Sequence, residues 1–263
     1  MRRRQVPGLA WFALVVFVLV SIAPSRALAT SDGAAPGGGA ASGDVSASRD
    51  TAAARTGAAA RSSRQEQVRR WVRDAFAAYE SDEIGRAFVL YEKAAAADDP
   101  SAQYNLAVMR VRGETTAPSM AQAMRLLRRS AAANFAPAQF MLASMLDVGQ
   151  HVPRSSEEAT RWFESAARQD HPDAALALGL RYFLGRGVEQ DYAQAARWYR
   201  VAANADDVAA QYLLGSMYEH GTGVERDLRE ALQWYVAAAR QGDVAARAKA
   251  AAIARQLAAE RKS

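Results

Sequence analysis

The 263-residue sequence contains no cysteine, and only three of its 33 basic residues are lysine. Without cysteine the chain forms no disulfide, has no thiol nucleophile and cannot build a cysteine-based zinc site. Histidine is also scarce, because His151, His171 and His220 are the only three, and none has a nucleophile at a spacing that suits catalysis. We therefore predict a protein that is not an enzyme and that holds neither a metal nor a cofactor.

A net basic field is absent from most of the chain. The formal charge is +5, but Arg2, Arg3, Arg4 and Arg26 contribute four of those charges near the N-terminus. From Gln65 to the end, 25 Lys and Arg residues stand against 25 Asp and Glu residues. Because no net positive potential is available to attract a phosphate backbone, we predict no nucleic-acid partner.

A hydrophobic run long enough to span a membrane is also missing. The apolar segment from Leu9 to Ile22 has 14 residues, whereas a spanning helix needs about 20. Arginines precede this segment, Pro24 closes it, and the small residues of Ala27-Leu28-Ala29 suit a signal peptidase. We predict that residues 1–29 are a secretory signal peptide, cleaved near Ala29. The mature chain is then periplasmic or secreted and meets the membrane only during export; an uncleaved N-terminal anchor is the alternative.

Residues 30–64 consist mostly of alanine, glycine, serine and threonine, and they contain no aromatic side chain. A segment of this composition has too little apolar surface to build a core. We therefore predict a disordered linker over 30–64.

A 36-residue repeat organises the rest of the chain. One alanine recurs at this spacing at five positions, and a second alanine follows the same rule: Ala102, Ala138, Ala174, Ala210 and Ala246, then Ala87, Ala123, Ala159, Ala195 and Ala231. Apolar residues recur at three- and four-residue intervals within each unit, which predicts a pair of amphipathic helices. Stacked helix pairs make an all-α protein, specifically an alpha solenoid.

The ends of the helices are marked at the same spacing. A capping residue stands three positions before a Gln or Glu at the start of each second helix: Ser119, Ser155, Asp191 and Asp227. Residues that tolerate a left-handed backbone follow the second helices: Asp98, Asn134, Asp170, Asp206 and Gly242. The aromatic residues of the second helices, Trp162, Trp198 and Trp234, are predicted to belong to the core rather than to a binding site.

The stretch from Ala210 to Gly242 follows the pattern AxxxLGxxYxxGxGVxxDxxxAxxWYxxAAxxG. This pattern resembles the Sel-one-like repeat (SLR) family of the tetratricopeptide-repeat (TPR) superfamily. The resemblance implies a right-handed solenoid with four SLR helix pairs over 100–243. Residues 65–99 resemble a plain TPR helix pair, and residues 244–263 are predicted to form a C-terminal capping helix that shields the last interface.

The resemblance also implies that the first helix of each pair lines a concave face that binds another protein or peptide. Three positions of each first helix should project into it, giving Tyr104, Val108, Val111, Phe140, Ser144, Asp147, Leu176, Leu180, Phe183, Tyr212, Ser216 and Glu219. These residues either form a binding groove or pack between neighbouring repeats. Phe183 is distinctive because the equivalent residues are Val, Asp and Glu.

Together with the predicted signal peptide, the resemblance implies an exported, non-enzymatic scaffold that binds another protein and serves in envelope signalling or assembly. Two alternatives stay open. The first is a binder of polysaccharide or peptidoglycan, for which the three tryptophans would have to be exposed. The second is an accessory hydrolase of the cell wall, in which Glu219 and His220 would supply the acid and base.

Overall fold

A computed structural model describes residues 45–115 and 119–260, and the regular secondary structure in these two ranges is helical throughout. From α2 onward each helix packs against the next one along the chain. The predicted all-α solenoid of helix pairs is therefore confirmed. The helices are α1 (Val45–Glu80), α2 (Ile84–Ala96), α3 (Pro100–Val111), α4 (Met120–Ala132), α5 (Ala136–Val148), α6 (Ser156–Ala167), α7 (Pro172–Leu184), α8 (Tyr192–Asn204), α9 (Val208–His220), α10 (Leu228–Arg240) and α11 (Val244–Glu260).

The predicted linker differs from the structure in its second half, because residues 45–64 belong to α1. Alanine and arginine have high intrinsic helix propensity, and they dominate this part of the segment, which contains no proline after Pro36. Because large apolar residues are scarce over 45–64, the sequence predicted a disordered linker where the structure has the start of a helix. Residues 30–44 and the predicted signal peptide lie outside the described residues.

Residues 54–263 form one compact unit. Of the other unit, residues 1–53, the structure describes only residues 45–53, which are the start of α1. Within the described residues, no helix is both long and apolar enough to cross a membrane.

The predicted helix caps are present. The side chains of Ser119, Ser155, Asp191 and Asp227 each accept a hydrogen bond from the backbone amide three residues later. Asp98, Asn134, Asp170 and Asp206 adopt positive φ angles between 58° and 64° after the second helices. These residues terminate each second helix and turn the chain into the next unit.

The core lies between the two helices of each pair and continues between units. Leu142, Leu178 and Leu214 of the first helices are buried. Close approach of the helices depends on small residues beside them: a Cβ atom at Gly179 would lie 2.5 Å from the buried ring of Tyr199. One unit earlier, Ala143 takes the position of Gly179, and Phe163 takes the position of Tyr199.

Buried glutamines join neighbouring units, a feature that hydrophobic periodicity did not reveal. Gln139 donates a hydrogen bond to the carbonyl of Ala131 at 3.1 Å and accepts one from Gln169 at 2.8 Å. Gln211 likewise accepts a hydrogen bond from Gln241 at 3.1 Å. In the unit with Gln103, the residue equivalent to Gln169 is alanine, and the Gln103 Oε1 atom is buried with no hydrogen-bond partner among the described residues.

Replacing Ala133 by glutamine should supply that missing donor. We expect Ala133→Gln to raise the free energy of unfolding by about 1 kcal/mol, because it satisfies a buried acceptor. Urea denaturation followed by circular dichroism measures the change. The matched control is Ala205→Gln, which stands at the same position but faces Ala175 instead of glutamine. An equal gain in both variants would refute the role of the buried acceptor.

Candidate interaction surface

The twelve predicted surface residues lie on the first helices α3, α5, α7 and α9, and every one of them is half-buried. Their contacts therefore decide which part of this surface is available to a partner.

Three aromatic residues at the first position of the series pack against side chains of the solenoid itself. The ring of Tyr104 lies 5.6 Å from that of Phe135, and the ring of Tyr212 lies 5.3 Å from that of Tyr235. Phe140 stacks on His171, with 4.9 Å between ring centroids. Burial raises the pKa of Tyr104 and lowers that of His171. The aromatic contacts thus support the packing interpretation at these three positions.

Asp147 binds a cation of the next unit. Its Oδ1 atom lies 3.0 Å from a guanidinium nitrogen of Arg181, a residue that is only 3 % exposed. Arg181 also donates hydrogen bonds to the Thr160 hydroxyl at 2.7 Å and to the Ser156 carbonyl at 2.7 Å. The arginine is therefore held on several sides, and Asp147 supplies its counter-charge.

Glu219 is bound in a similar way at the last unit. The Tyr235 hydroxyl donates a hydrogen bond to Glu219 at 2.7 Å, and the Lys249 ammonium lies 3.0 Å from both carboxylate oxygens. Burial by itself would raise the pKa of Glu219, but the bonds from Tyr235 and Lys249 outweigh it and lower the pKa. Burial and the bond to Glu219 raise the pKa of Tyr235. This carboxylate joins α9 to α11 and is not a free acid.

Tyr235 and Tyr199 provide a matched test of that hydrogen bond, because they are 36 residues apart and both rings are buried. The Tyr199 hydroxyl is buried without a hydrogen-bond partner in the part of the chain that the structure describes. We expect Tyr235→Phe to lower the free energy of unfolding by about 2 kcal/mol, since it removes a bond to a charged acceptor. Tyr199→Phe should cause no loss in the same urea denaturation experiment. Equal losses would contradict the assignment.

Phe183 is the one aromatic residue among its equivalents, and an exposed aromatic side chain contacts it. Its ring lies 5.1 Å from that of Tyr192, which is 39 % exposed. The next residue, Leu184, is 55 % exposed, and Val148, its equivalent one unit earlier, is 67 % exposed. We call Phe183, its contact Tyr192, the adjoining Leu184 and the repeat-equivalent Val148 the Phe183 patch. Arg112 and His220 occupy the positions of Val148 and Leu184 in the outer units.

Sequence reasoning missed Arg181, although the signal was visible in the repeat. Met109, Met145 and Met217 stand at the equivalent positions and are buried. A single arginine in a series of core methionines indicates a buried charge that requires a partner. Arg110, which replaces a tyrosine of the repeat, also has a structural role, because it lies 3.3 Å from Glu92 and over the ring of Phe88.

The tryptophans of the second helices bear on the polysaccharide alternative. Trp162, Trp198 and Trp234 are half-buried and pack against the core. No cluster of three or more potential metal ligands occurs among the described residues.

Comparison with known proteins identifies the repeat. The Sel1 repeat family matches residues 81–99, 100–135, 136–171, 172–207 and 208–243. The first of these ranges covers α2, the second helix of the segment predicted to resemble a plain TPR pair. A search of curated proteins found no match.

Two solved structures have similar sequences and folds. A Sel1 repeat protein from Oxalobacter formigenes is 32% identical, with a TM-score of 0.60, over 67% of this chain and 74% of that one. A protective antigen present in uropathogenic Escherichia coli strains, which displays an SLR fold, is 33% identical with a TM-score of 0.57. That match covers 60% of this chain and only 34% of the antigen. By its repeat matches and by its similarity to the Oxalobacter protein, the chain belongs to the Sel1 repeat family.

Proposed function

We propose that this protein is an exported scaffold of the bacterial envelope that binds a segment of another protein through the Phe183 patch. Sel1 repeat proteins are scaffolds whose repeats generally serve as protein-interaction modules. Export is proposed because the sequence of residues 1–29 has the pattern of a secretory signal peptide. The protein acts by binding, without catalysis.

The exposure of the Phe183 patch is the observation that carries this proposal. Most of the twelve predicted surface residues already have partners within the solenoid, as the contacts of Tyr104, Asp147, Tyr212 and Glu219 illustrate. Phe183 also has a partner, Tyr192, but that partner is itself exposed, and Leu184 and Val148 expose more than half of their surface to solvent. Exposed apolar and aromatic side chains provide the anchors by which an extended peptide or an amphipathic helix binds.

Site-specific photo-crosslinking in the native cell tests this surface. A benzophenone amino acid at position 184 is expected to capture the partner, whereas the same amino acid at position 220 is not. Position 220 is the matched control because His220 is also exposed and lies one unit later at the same place in the repeat. Equal capture at both positions would contradict binding by the Phe183 patch.

Binding by purified protein provides the second measurement. The double variant Phe183→Ala, Leu184→Ser should weaken binding of the captured protein at least about tenfold, because it removes two apolar anchors. Its helical circular dichroism signal should stay unchanged. Tyr104→Ala serves as a comparison outside the patch and should have less effect on binding. Unaltered affinity of the double variant would refute the proposed surface.

Localisation is tested separately. Fractionation should find the protein in the periplasm or the medium, and N-terminal sequencing should give a mature chain that begins at Thr30. A chain retained in the membrane with residues 1–29 intact would favour the alternative N-terminal anchor.

A further inference from the structure

A second surface lies among α1, α2, α3 and α4, apart from the Phe183 patch. Two cavities of about 510 Å³ and 280 Å³ adjoin at Ala96, which lines both of them. Most of the lining residues of the larger cavity are exposed, including Gln122, Arg125 and Arg129. The space is therefore a surface groove and not an enclosed cavity; we call it the Ala96 groove.

The floor of the Ala96 groove is apolar. Leu106 and Ala95 are buried beneath the larger cavity, and Leu126 is half-buried beside them. Leu126 occupies the position at which the three later units have tryptophan. Because leucine is smaller than an indole, it leaves open a space that a tryptophan would fill.

The rim of the groove is strongly basic. Five cationic residues line the two cavities against a single acidic one, Glu92: Arg64, Lys93, Arg110, Arg125 and Arg129. Arg110 pairs with Glu92, and Arg129 pairs with Asp98. Arg64, Lys93 and Arg125 have no ion-pair partner among residues 45–115 and 119–260. Each cavity is thus lined by at least one unpaired cation, which contrasts with the balanced charge of the repeat region as a whole.

We propose that the Ala96 groove binds an acidic peptide segment of a partner protein. An apolar side chain of that segment lies on Leu106 and Leu126, while its carboxylates pair with Arg64, Lys93 and Arg125. The positive charge of the rim complements the carboxylates of such a segment, and the apolar floor adds the burial of an apolar side chain.

The composition of the floor favours a peptide over a nucleic acid. Single-stranded nucleic acids bind to aromatic side chains on which successive bases stack. The larger cavity instead has alanine and leucine at its floor, which match an aliphatic side chain. Trp71, in the smaller cavity, is the one aromatic residue that lines either cavity.

Fluorescence anisotropy with a labelled peptide of sequence EELEELLEE tests the proposal on the whole protein. We expect saturable binding that weakens as salt increases, because ion pairs contribute to it. Arg125→Glu should weaken binding at least about tenfold by replacing an attractive contact with a repulsive one. Leu126→Trp should weaken it as well, since it fills the floor with the side chain that the later units carry.

Arg197→Glu is the matched control, because Arg197 lies 72 residues after Arg125 at the same position of the repeat, is exposed and lies outside the groove. It should leave the affinity within about twofold of the unchanged protein. Equal loss in Arg125→Glu and Arg197→Glu would overturn the proposal, as would absence of peptide binding. Tighter binding of oligothymidylate than of the peptide at the same site would also overturn it. The proposal would also be overturned if a second copy of the chain occupied the groove. Sedimentation would then show a dimer that Arg125→Glu dissociates.

Discussion

Replacement of Asp147 by valine is expected to lower the free energy of unfolding by about 3 kcal/mol. The variant leaves the guanidinium of Arg181 in the core without its counter-charge, and the other cation near Asp147 is Arg186, which adds repulsion. The cost of an unpaired buried charge exceeds the loss of an exposed ion pair by several-fold. Urea denaturation of the purified protein, followed by circular dichroism, gives the change.

The double variant Asp147→Val, Arg181→Met is the decisive control. One unit earlier, Val111 and Met145 occupy the equivalent two positions, and both belong to the hydrophobic core. The solenoid therefore already contains an apolar form of this contact. We expect the double variant to be as stable as the unchanged protein or more stable, since apolar residues often replace a buried ion pair without loss. A double variant that is as unstable as Asp147→Val alone would show that Arg181 is needed for other reasons.

Replacement of Gly223 by alanine should be at least as damaging. Gly223 has a φ angle of +69°, and an added Cβ would lie 2.3 Å from the backbone carbonyl carbon and oxygen of Tyr192 in the preceding unit. The variant therefore combines an unfavourable left-handed backbone with a collision against main chain that a rotamer change cannot relieve. We expect a loss of about 3 kcal/mol or more in the free energy of unfolding, measured in the same way.

Gly113→Ala separates the two causes of that loss. Gly113 has a similar φ angle of +72°, but an added Cβ would meet nothing within 4 Å. It should therefore show only the conformational cost, about 1 kcal/mol. If both glycine variants lost the same stability, the close approach between Gly223 and Tyr192 would not be important.

The turn of the second unit illustrates how a left-handed backbone can be retained without glycine. His151 stands where the later units have Gly187 and Gly223, and its φ angle of 63° is nearly the same as theirs. The different residue at this position therefore does not change the backbone angle there.

The sequence by itself determined the helix pairs, their 36-residue period, the caps and the left-handed residues that end each second helix. Each of these depends on local chemistry, such as a side chain that reaches an amide three residues away. Repetition made the signal strong, because each position of the repeat could be read four times. The linker was read less well, since alanine-rich composition suits a flexible chain and a helix alike.

Only the tertiary structure decided which residues of the first helices have partners elsewhere in the fold. The partner of Asp147 lies 34 residues further along the chain, in the next unit, and the partner of Glu219 lies 30 residues further, in α11. The Ala96 groove likewise depends on four helices that meet only in the fold. Pairings of this kind follow from how units stack, and a periodic pattern records the position of a residue without recording what faces it.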